Sequence, residues 1–221
     1  MRLPTPLLAA GLAALLASAR PGLAQPSTGA DSWRAILDGS TTAGWAMVGP
    51  GQLKPEGDAL VTEGGMGLFW YTKEKLADCQ VRVVFRLSSA KDNSGVFIRI
   101  PDPPTTPWDA VHKGYEVQID NTGDDWHRTG VLYSLTRAKA SVSPKVGEWA
   151  TMIITLDGKR TRVEVDGALV TDFTEGDPVP DKKQPYEPDR GPRPEAGYIG
   201  LQNHDEHARV VFKEISVRPL R

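Results

Sequence analysis

The chain has 221 residues, with 26 Lys and Arg against 28 Asp and Glu and a formal net charge of -2. No basic run exceeds two residues, which excludes the cationic footprint of a nucleic-acid binder and the polybasic patch that anionic membranes attract. The single cysteine, Cys79, excludes an intrachain disulfide, so the fold must rest on its core.

The first residues read as a targeting segment. Arg2 precedes an apolar run from Leu7 to Ala17, with no further charge before Arg20. A membrane-spanning helix needs about 20 apolar residues, and this run is shorter. Small residues allow cleavage after Ala19 or after Ala24, so residues 1–24 are expected to form a secretory signal peptide. No cysteine near the cleavage region offers a lipid attachment point. The expected product is a soluble, exported protein, periplasmic or secreted, with one domain over 33–220.

Strand signals then follow in order. A strand is expected over Trp45–Val48, and Glu56-Gly57-Asp58 marks a turn between Leu53 and Leu60-Val61. A strand over Gly67–Tyr71 comes next. From Cys79 to Leu87, apolar residues alternate with Gln80, Arg82 and Arg86, interrupted by Val84; this is the period-2 signature of a half-buried strand. Cys79 sits on the apolar phase and is expected to be a small core residue. Gly95–Ile100 is a further strand, followed by a loop from Pro101 to Trp108 that carries four prolines. Strands over Tyr115–Asp120 and Val131–Leu135 are expected beyond it.

Two Asp-Gly pairs, at 157–158 and 166–167, separate apolar runs around Met152–Leu156, Val163–Val165 and Leu169–Phe173. Asp-Gly supplies the positive φ of a tight hairpin turn, so the three runs form a meander. Gly176 to Gly197 is a long proline-rich loop, from which Tyr186 and Arg190 have the reach to touch a ligand. Strands over Tyr198–Gln202 and Arg209–Val217 complete the chain, the last changing phase between Phe212 and Ile215 through a β-bulge near Lys213-Glu214. No stretch shows sustained helical periodicity. Many short strands without helices imply an antiparallel sandwich or barrel.

The strand Tyr115–Asp120 carries the clearest chemical signal. Tyr115, Val117 and Ile119 share one face, while Glu116, Gln118 and Asp120 share the other. Such a polar face becomes a sugar groove when the sheet curves and aromatic residues flank it. Glu116, Gln118, Asp120, Asn121 and Arg99 offer groups for sugar hydroxyls. Trp70, Tyr71, Trp108, Trp126 and Tyr133 offer flat surfaces for ring C–H faces. The alternative is a solvated outer strand face.

Several segments together carry a family resemblance. Asp38-Gly39-Ser40 with Gly44-Trp45, Asn93–Arg99, Tyr115–Asp120, Gly130–Tyr133, Gly147–Trp149, Gly197–His204 and Val211–Ile215 resemble, in order, the motifs of the 3-keto-disaccharide hydrolase domain family. That family is also described as a 3-keto-glucoside 1,2-lyase and 3-keto-2-hydroxyglucal hydratase. Ala150 stands where its motif has Asn. The resemblance implies an all-β fold, an antiparallel jelly-roll β-sandwich of the concanavalin-A-like lectin/glucanase type, with its site on the concave sheet. It also implies cleavage of 3-keto-glycosides by proton abstraction at C2, elimination at C1 and hydration.

That chemistry suits particular residues. Glu116 or His204 would be the base, Arg99 would stabilise the C3 oxyanion, and Asp120 would hold the His204 tautomer. Gln118, Gln202, Asn203, Tyr133, Trp70 and Trp126 would bind substrate. His127 and His112 are expected in solvent. His204 and His207, three residues apart on a strand, do not form a zinc pair. A divalent metal held by Glu116, Asp120 and His204 is an alternative way to polarise the ketone; no other cofactor is expected. The partners that the resemblance implies are a small carbohydrate and a sugar 3-dehydrogenase that oxidises it beforehand, since the chain lacks a nucleotide-binding glycine fingerprint. Two other functions fit the same fold: a retaining glycoside hydrolase and a non-catalytic carbohydrate-binding domain.

Overall fold

The computed structural model describes Met1 and residues 32–220. The expected signal peptide, past Met1, and its cleavage sites lie outside the described residues. Among these residues the strands are β1 (Arg34–Leu37), β2 (Trp45–Val48), β3 (Gln52–Glu56), β4 (Ala59–Glu63), β5 (Gly67–Tyr71), β6 (Cys79–Leu87) and β7 (Asn93–Ile100). A short helix α1 (Pro107–Lys113) precedes β8 (Tyr115–Asp120), β9 (Ala150–Asp157), β10 (Arg160–Val165), β11 (Ala168–Thr174), β12 (Tyr198–Asn203) and β13 (Val210–Pro219). They form two antiparallel sheets. One has the order β11-β10-β9-β6-β13-β4-β3, with β1 also on β13; the other has the order β2-β5-β12-β7-β8. This is the jelly-roll sandwich that the sequence implies.

Alternation decides which faces meet. On β6, Cys79, Val81, Val83, Phe85 and Leu87 are buried, while the residues between them are half-buried. They join Val96, Ile98, Val117, Ile119, Ile199 and Leu201 of the second sheet in one core. Truncating Phe85 to Ala would remove a fully buried ring and cost about 3–5 kcal/mol. Cys79 lies in this core, where burial pushes its thiol up to about 11 and leaves it unreactive. With one phase of β7, β8 and β12 committed to the core, their other phase must face outward.

Turn chemistry sets the meander. Asp166 and Gly167 both have positive φ, 48° and 82°, as the tight turn between β10 and β11 requires. The expected bulge is present: the β13–β6 register shifts between Phe212 and Glu214.

Two elements differ from expectation. The proline-rich stretch after β7 ends in helix α1. Pro107 opens it, and the Asp109 carboxylate accepts the Thr106 N–H at 3.1 Å, so the cap is local. Seven residues are too few to reveal a 3.6-residue period. Likewise, Val131–Leu135 is not a strand. Gly130 and Tyr133 donate backbone bonds to Gln118 and Glu116 of β8, but the chain then turns at Ser134, whose φ is 58°.

Candidate active site

The outward phase of the second sheet floors a cavity of about 400 Å³. From the sheet come Asn93 of β7, Glu116, Gln118 and Asp120 of β8, and Gln202 of β12, with His204 just beyond that strand. The walls include Trp108 and Val111 of α1, Tyr133 and His127 of the segment after β8, and Tyr186 of the proline-rich loop. Strand register explains the grouping. Asn93 pairs with Asp120, Gly95 with Gln118 and Phe97 with Glu116, so alternate residues of both strands point the same way.

Gly95 makes room for the carboxyl. A Cβ built there would stand 2.5 Å from Glu116 Oε1 and 2.6 Å from its Cγ. Glu116 therefore lies flat across the bare backbone of β7. Only 8% of it is exposed, and burial pushes its pKa up to about 8, against the opposing hydrogen bond from Gln202. With its nitrogen turned inward, the Gln118 amide donates to Glu116 Oε1 at 3.0 Å and to the Ser94 carbonyl at 3.1 Å. Glu116 is thus a mostly protonated acid at neutral pH.

His204 is arranged differently. Its Nδ1 stands 2.7 Å from Asp205 Oδ2. Burial opposes ionisation of Asp205, but hydrogen bonds from His204 and from the His207 and Ala208 N–H groups hold its pKa below the usual range. A carboxylate on Nδ1 fixes the Nδ1–H tautomer and leaves Nε2 as the acceptor. The orienting carboxylate expected at Asp120 is therefore Asp205. Asp120 lines the cavity, but its Oδ1 accepts the N–H and hydroxyl of Thr122 at 2.6 and 2.7 Å.

Other expected site residues lie elsewhere. Arg99 would share the Glu116 side of β7 by simple alternation. However, Tyr198 pairs with Ile100 while Gly200 pairs with Phe97, which leaves an extra residue in β7, and Arg99 has φ 55°. The bulge turns its side chain away from the cavity. Arg99 is fully buried and donates to Thr161 Oγ1 and to the carbonyls of Gly158, Arg160, Pro194 and Glu195. It ties the β9–β10 turn to the proline-rich loop and does not reach the Glu116 cavity.

Asn203 is likewise structural. It is fully buried and its Nδ2 donates to the Glu63 and Gly64 carbonyls. Trp70 packs edge-on against Tyr198, beside the cluster beneath α1, outside the cavity lining. Trp126 lines a smaller neighbouring cavity with Ser134 and Arg190. Arg190 donates to the Pro180 and Pro188 carbonyls of its own loop, to the Ser134 carbonyl and to Glu187. No group of three His, Cys, Asp or Glu side chains converges on a metal position among the described residues, so the proposed Glu116, Asp120 and His204 ligand set is not assembled.

His127 is one of the two histidines that the sequence places in solvent. It joins the cavity wall because its ring is clamped, Nδ1 by Asp124 at 2.7 Å and Nε2 by Ser134 at 3.0 Å. The Asp124-x-x-His127 spacing was the available signal. At the mouth, Trp108 and Tyr186 are 43% and 51% exposed, which presents two aromatic faces to whatever enters.

A family model, the 3-keto-alpha-glucoside-1,2-lyase-like domain, matches residues 32–218. No curated protein matches the chain. Among solved structures, a candidate glycosyl hydrolase from Parabacteroides distasonis ATCC 8503 is 19% identical, with 87% of this chain and 95% of that chain covered at a TM-score of 0.68. A second such protein from the same organism is 22% identical, with 86% and 100% covered at 0.66. Carbohydrate-binding module CBM66 from Bacillus subtilis is 16% identical, with 79% and 95% covered at 0.54. These likenesses establish the sandwich fold.

Proposed function

The chain belongs to the 3-keto-alpha-glucoside-1,2-lyase-like domain family, and from that premise we propose that it cleaves 3-keto-glycosides by elimination across C1–C2 followed by hydration. The observation that carries this reading is the pairing, in one sugar-sized cavity, of a buried neutral acid with a carboxylate-oriented imidazole. A protonated carboxyl that can donate, beside an imidazole whose Nε2 can accept, supplies an acid and a base to one cavity.

A ketone at C3 acidifies the C2 proton. His204 Nε2 accepts that proton, and Asp205 stabilises the imidazolium that forms. The same imidazolium then protonates the C1 oxygen as it departs, so proton and leaving group balance. Charge meanwhile builds on the C3 oxygen. With Arg99 turned away, we assign the Glu116 carboxylic acid as the donor to this oxygen, since it needs no counter-charge to act. The Oδ1 of Asn93 and Oε1 of Gln202 are buried without partners. An unmet buried acceptor costs about 1–3 kcal/mol, which a sugar hydroxyl would recover. Trp108 and Tyr186 would stack on ring faces.

Retaining hydrolysis fits less well. Glu116 and Asp120 sit four strand residues apart, about 13 Å between Cα atoms, whereas retaining chemistry wants carboxyls about 5–5.5 Å apart. We place the substrate in the periplasm or outside the cell, after the expected signal, and downstream of a sugar 3-dehydrogenase. The test is to incubate the mature protein with a 3-keto-glucoside, its unmodified parent and a β-glucan, and to follow aglycone release. Cleavage of the keto sugar alone is expected. Cleavage of the glucan, or saturable binding without turnover, would overturn the proposal in favour of a hydrolase or a binding module.

A further inference from the structure

We propose that the α1 side of the Glu116 cavity is a subsite for a flat, apolar group at C1, so that the substrate is a 3-keto-glycoside with an aromatic aglycone and not a 3-keto-disaccharide. The inference rests on the lyase reading above and names the substrate class of that same site. Strand register fixes the direction. In the order β5-β12-β7-β8, Glu116 belongs to the edge strand β8. The Tyr133 N–H bonds its carbonyl at 2.9 Å, which puts Tyr133 at that edge too. His204 follows β12, two strands away, or about 10 Å at the usual strand spacing. Asn203 pairs with Gly67 of β5, so His204 and Met66, each the next residue beyond that pair, stand side by side where the two strands end. Both line the cavity.

A pyranose carries C1 and C3 on either side of C2. With the C3 oxygen at Glu116 and the C2 proton at His204 Nε2, the C1 substituent runs away from β8, past His204 and over Met66. The departing C1 oxygen takes its proton from His204, so the aglycone must lie on that side. What meets it there is apolar. Val111 belongs to the buried cluster beneath α1, and Met66 packs against that cluster. A Cβ built on Gly49 would stand 2.5 Å from Pro107 Cγ and 3.1 Å from the Met66 carbonyl oxygen. The start of α1 is therefore seated beside Met66, and Trp108 is its next residue.

Helix spacing carries the same character along α1. Trp108 and Val111, three residues apart, share one face of the helix and line the cavity. The Asp109 carboxylate is taken up elsewhere, by the Thr105 and Thr106 N–H groups and by Lys113 at 3.1 Å. The His112 ring stacks on Trp108 with centroids 5.7 Å and planes 21° apart, which holds the indole in place and leaves its other face for a ligand. Sugars stack on tryptophan as well, but a second pyranose would bring hydroxyls that each give up water on entering. Asn93, Gln118, Asp120 and Gln202 could answer such hydroxyls, but they stand on the β7, β8 and β12 floor and serve the keto sugar itself. On the α1 side Met66, Trp108 and Val111 offer one polar group, the indole N–H. An aromatic ring has no hydroxyls to desolvate and gains by burial against these three.

The experiment follows aglycone release from the 3-keto forms of 2-phenylethyl glucoside and of a glucosyl-glucose, each in both anomers. Both leaving groups are aliphatic alcohols, so the comparison reports the subsite and not the acidity of a phenol. For the phenylethyl substrate, kcat/KM is expected to be at least about tenfold higher than for the disaccharide. In Met66→Gln and Trp108→Ala that ratio should fall toward one; a general loss of activity lowers both substrates alike and leaves the ratio intact. Equal or better turnover of the disaccharide, or a ratio that neither variant changes, would overturn the subsite. A wild type that cleaves neither keto sugar would instead defeat the lyase reading. The subsite would then be judged by calorimetric titration with the unmodified phenylethyl glucoside and the unmodified disaccharide. Binding at least about tenfold tighter for the phenylethyl glucoside would sustain it, and equal or weaker binding would sink it.

Discussion

Oε1 of Glu116 accepts a 3.0 Å hydrogen bond from the Gln118 amide two residues along the same strand. Burial dominates: the hydrogen bonds from neutral amides favour the carboxylate but do not make up for the water it loses, and its pKa is pushed up to about 8. A proton is therefore the normal companion of Glu116 at neutral pH.

If Glu116 serves as an acid, kcat/KM for a 3-keto-glucoside should fall above pH 8, to roughly a tenth per further unit. In Glu116→Gln, which keeps an N–H donor but cannot ionise, activity should drop by about 10²–10⁴ and this alkaline limb should vanish. A profile that rises through pH 8 would mark Glu116 as the base.

The same group links stability to pH. Its folded pKa is above the unfolded value, 4.5 in the reference state, so the folded state holds the extra proton between those values. Stability should decline as pH rises from about 4.5 to about 8. The full effect is on the order of a few kcal/mol, at 1.36 kcal/mol per pKa unit. Glu116→Gln should consequently gain stability over wild type at pH 8 and not at pH 4, read from urea midpoints at each pH. Equal differences at both would contradict the assignment.

Gly95→Ala tests whether the bare backbone of β7 seats the acid. Its Cβ would fall within 2.6 Å of both Oε1 and Cγ of Glu116. The expected outcome is a folded protein with kcat lowered at least tenfold and the alkaline limb displaced toward lower pH as Glu116 is pushed toward water. Unchanged kinetics would show that the Glu116 position is immaterial.

Arg99→Lys separates structure from catalysis. Lysine cannot reproduce the fork that serves Thr161 and four carbonyls, and each buried group left unmet costs about 1–3 kcal/mol. A loss of about 3 kcal/mol would lower Tm by roughly 6–12 °C. The folded enzyme should keep its kcat. A catalytic role would instead show as lost kcat with an unaltered melting curve.

His204→Ala should lower turnover by about 10²–10⁴, while Asp205→Asn should have a smaller effect that grows as the tautomer is lost. Wild-type rates in both, with circular dichroism confirming the fold, would remove the dyad from the mechanism.

Much of this was legible in residue order. The alternation in Tyr115–Asp120 places Glu116, Gln118 and Asp120 on one face, because side chains on a strand can point only two ways. The Asp-Gly pairs and the phase change before Ile215 located the meander turns and the bulge, because each is a local backbone requirement. The ordered motifs over the chain named the family.

What tertiary structure decided is where local alternation stops governing. One extra residue in β7 sends Arg99 to the far side of its strand, and nothing in Ile98-Arg99-Ile100 announces it. Asp205 displaces Asp120 as the partner of His204 because it is the next residue after the strand ends, where side-chain direction is set by the turn. His127 enters the site only because Asp124 and Ser134 grip its two nitrogens. Sequence fixes short-range geometry through φ, ψ and the two-residue period; which loops close over a sheet face depends on packing among distant segments, and that is visible only in the folded chain.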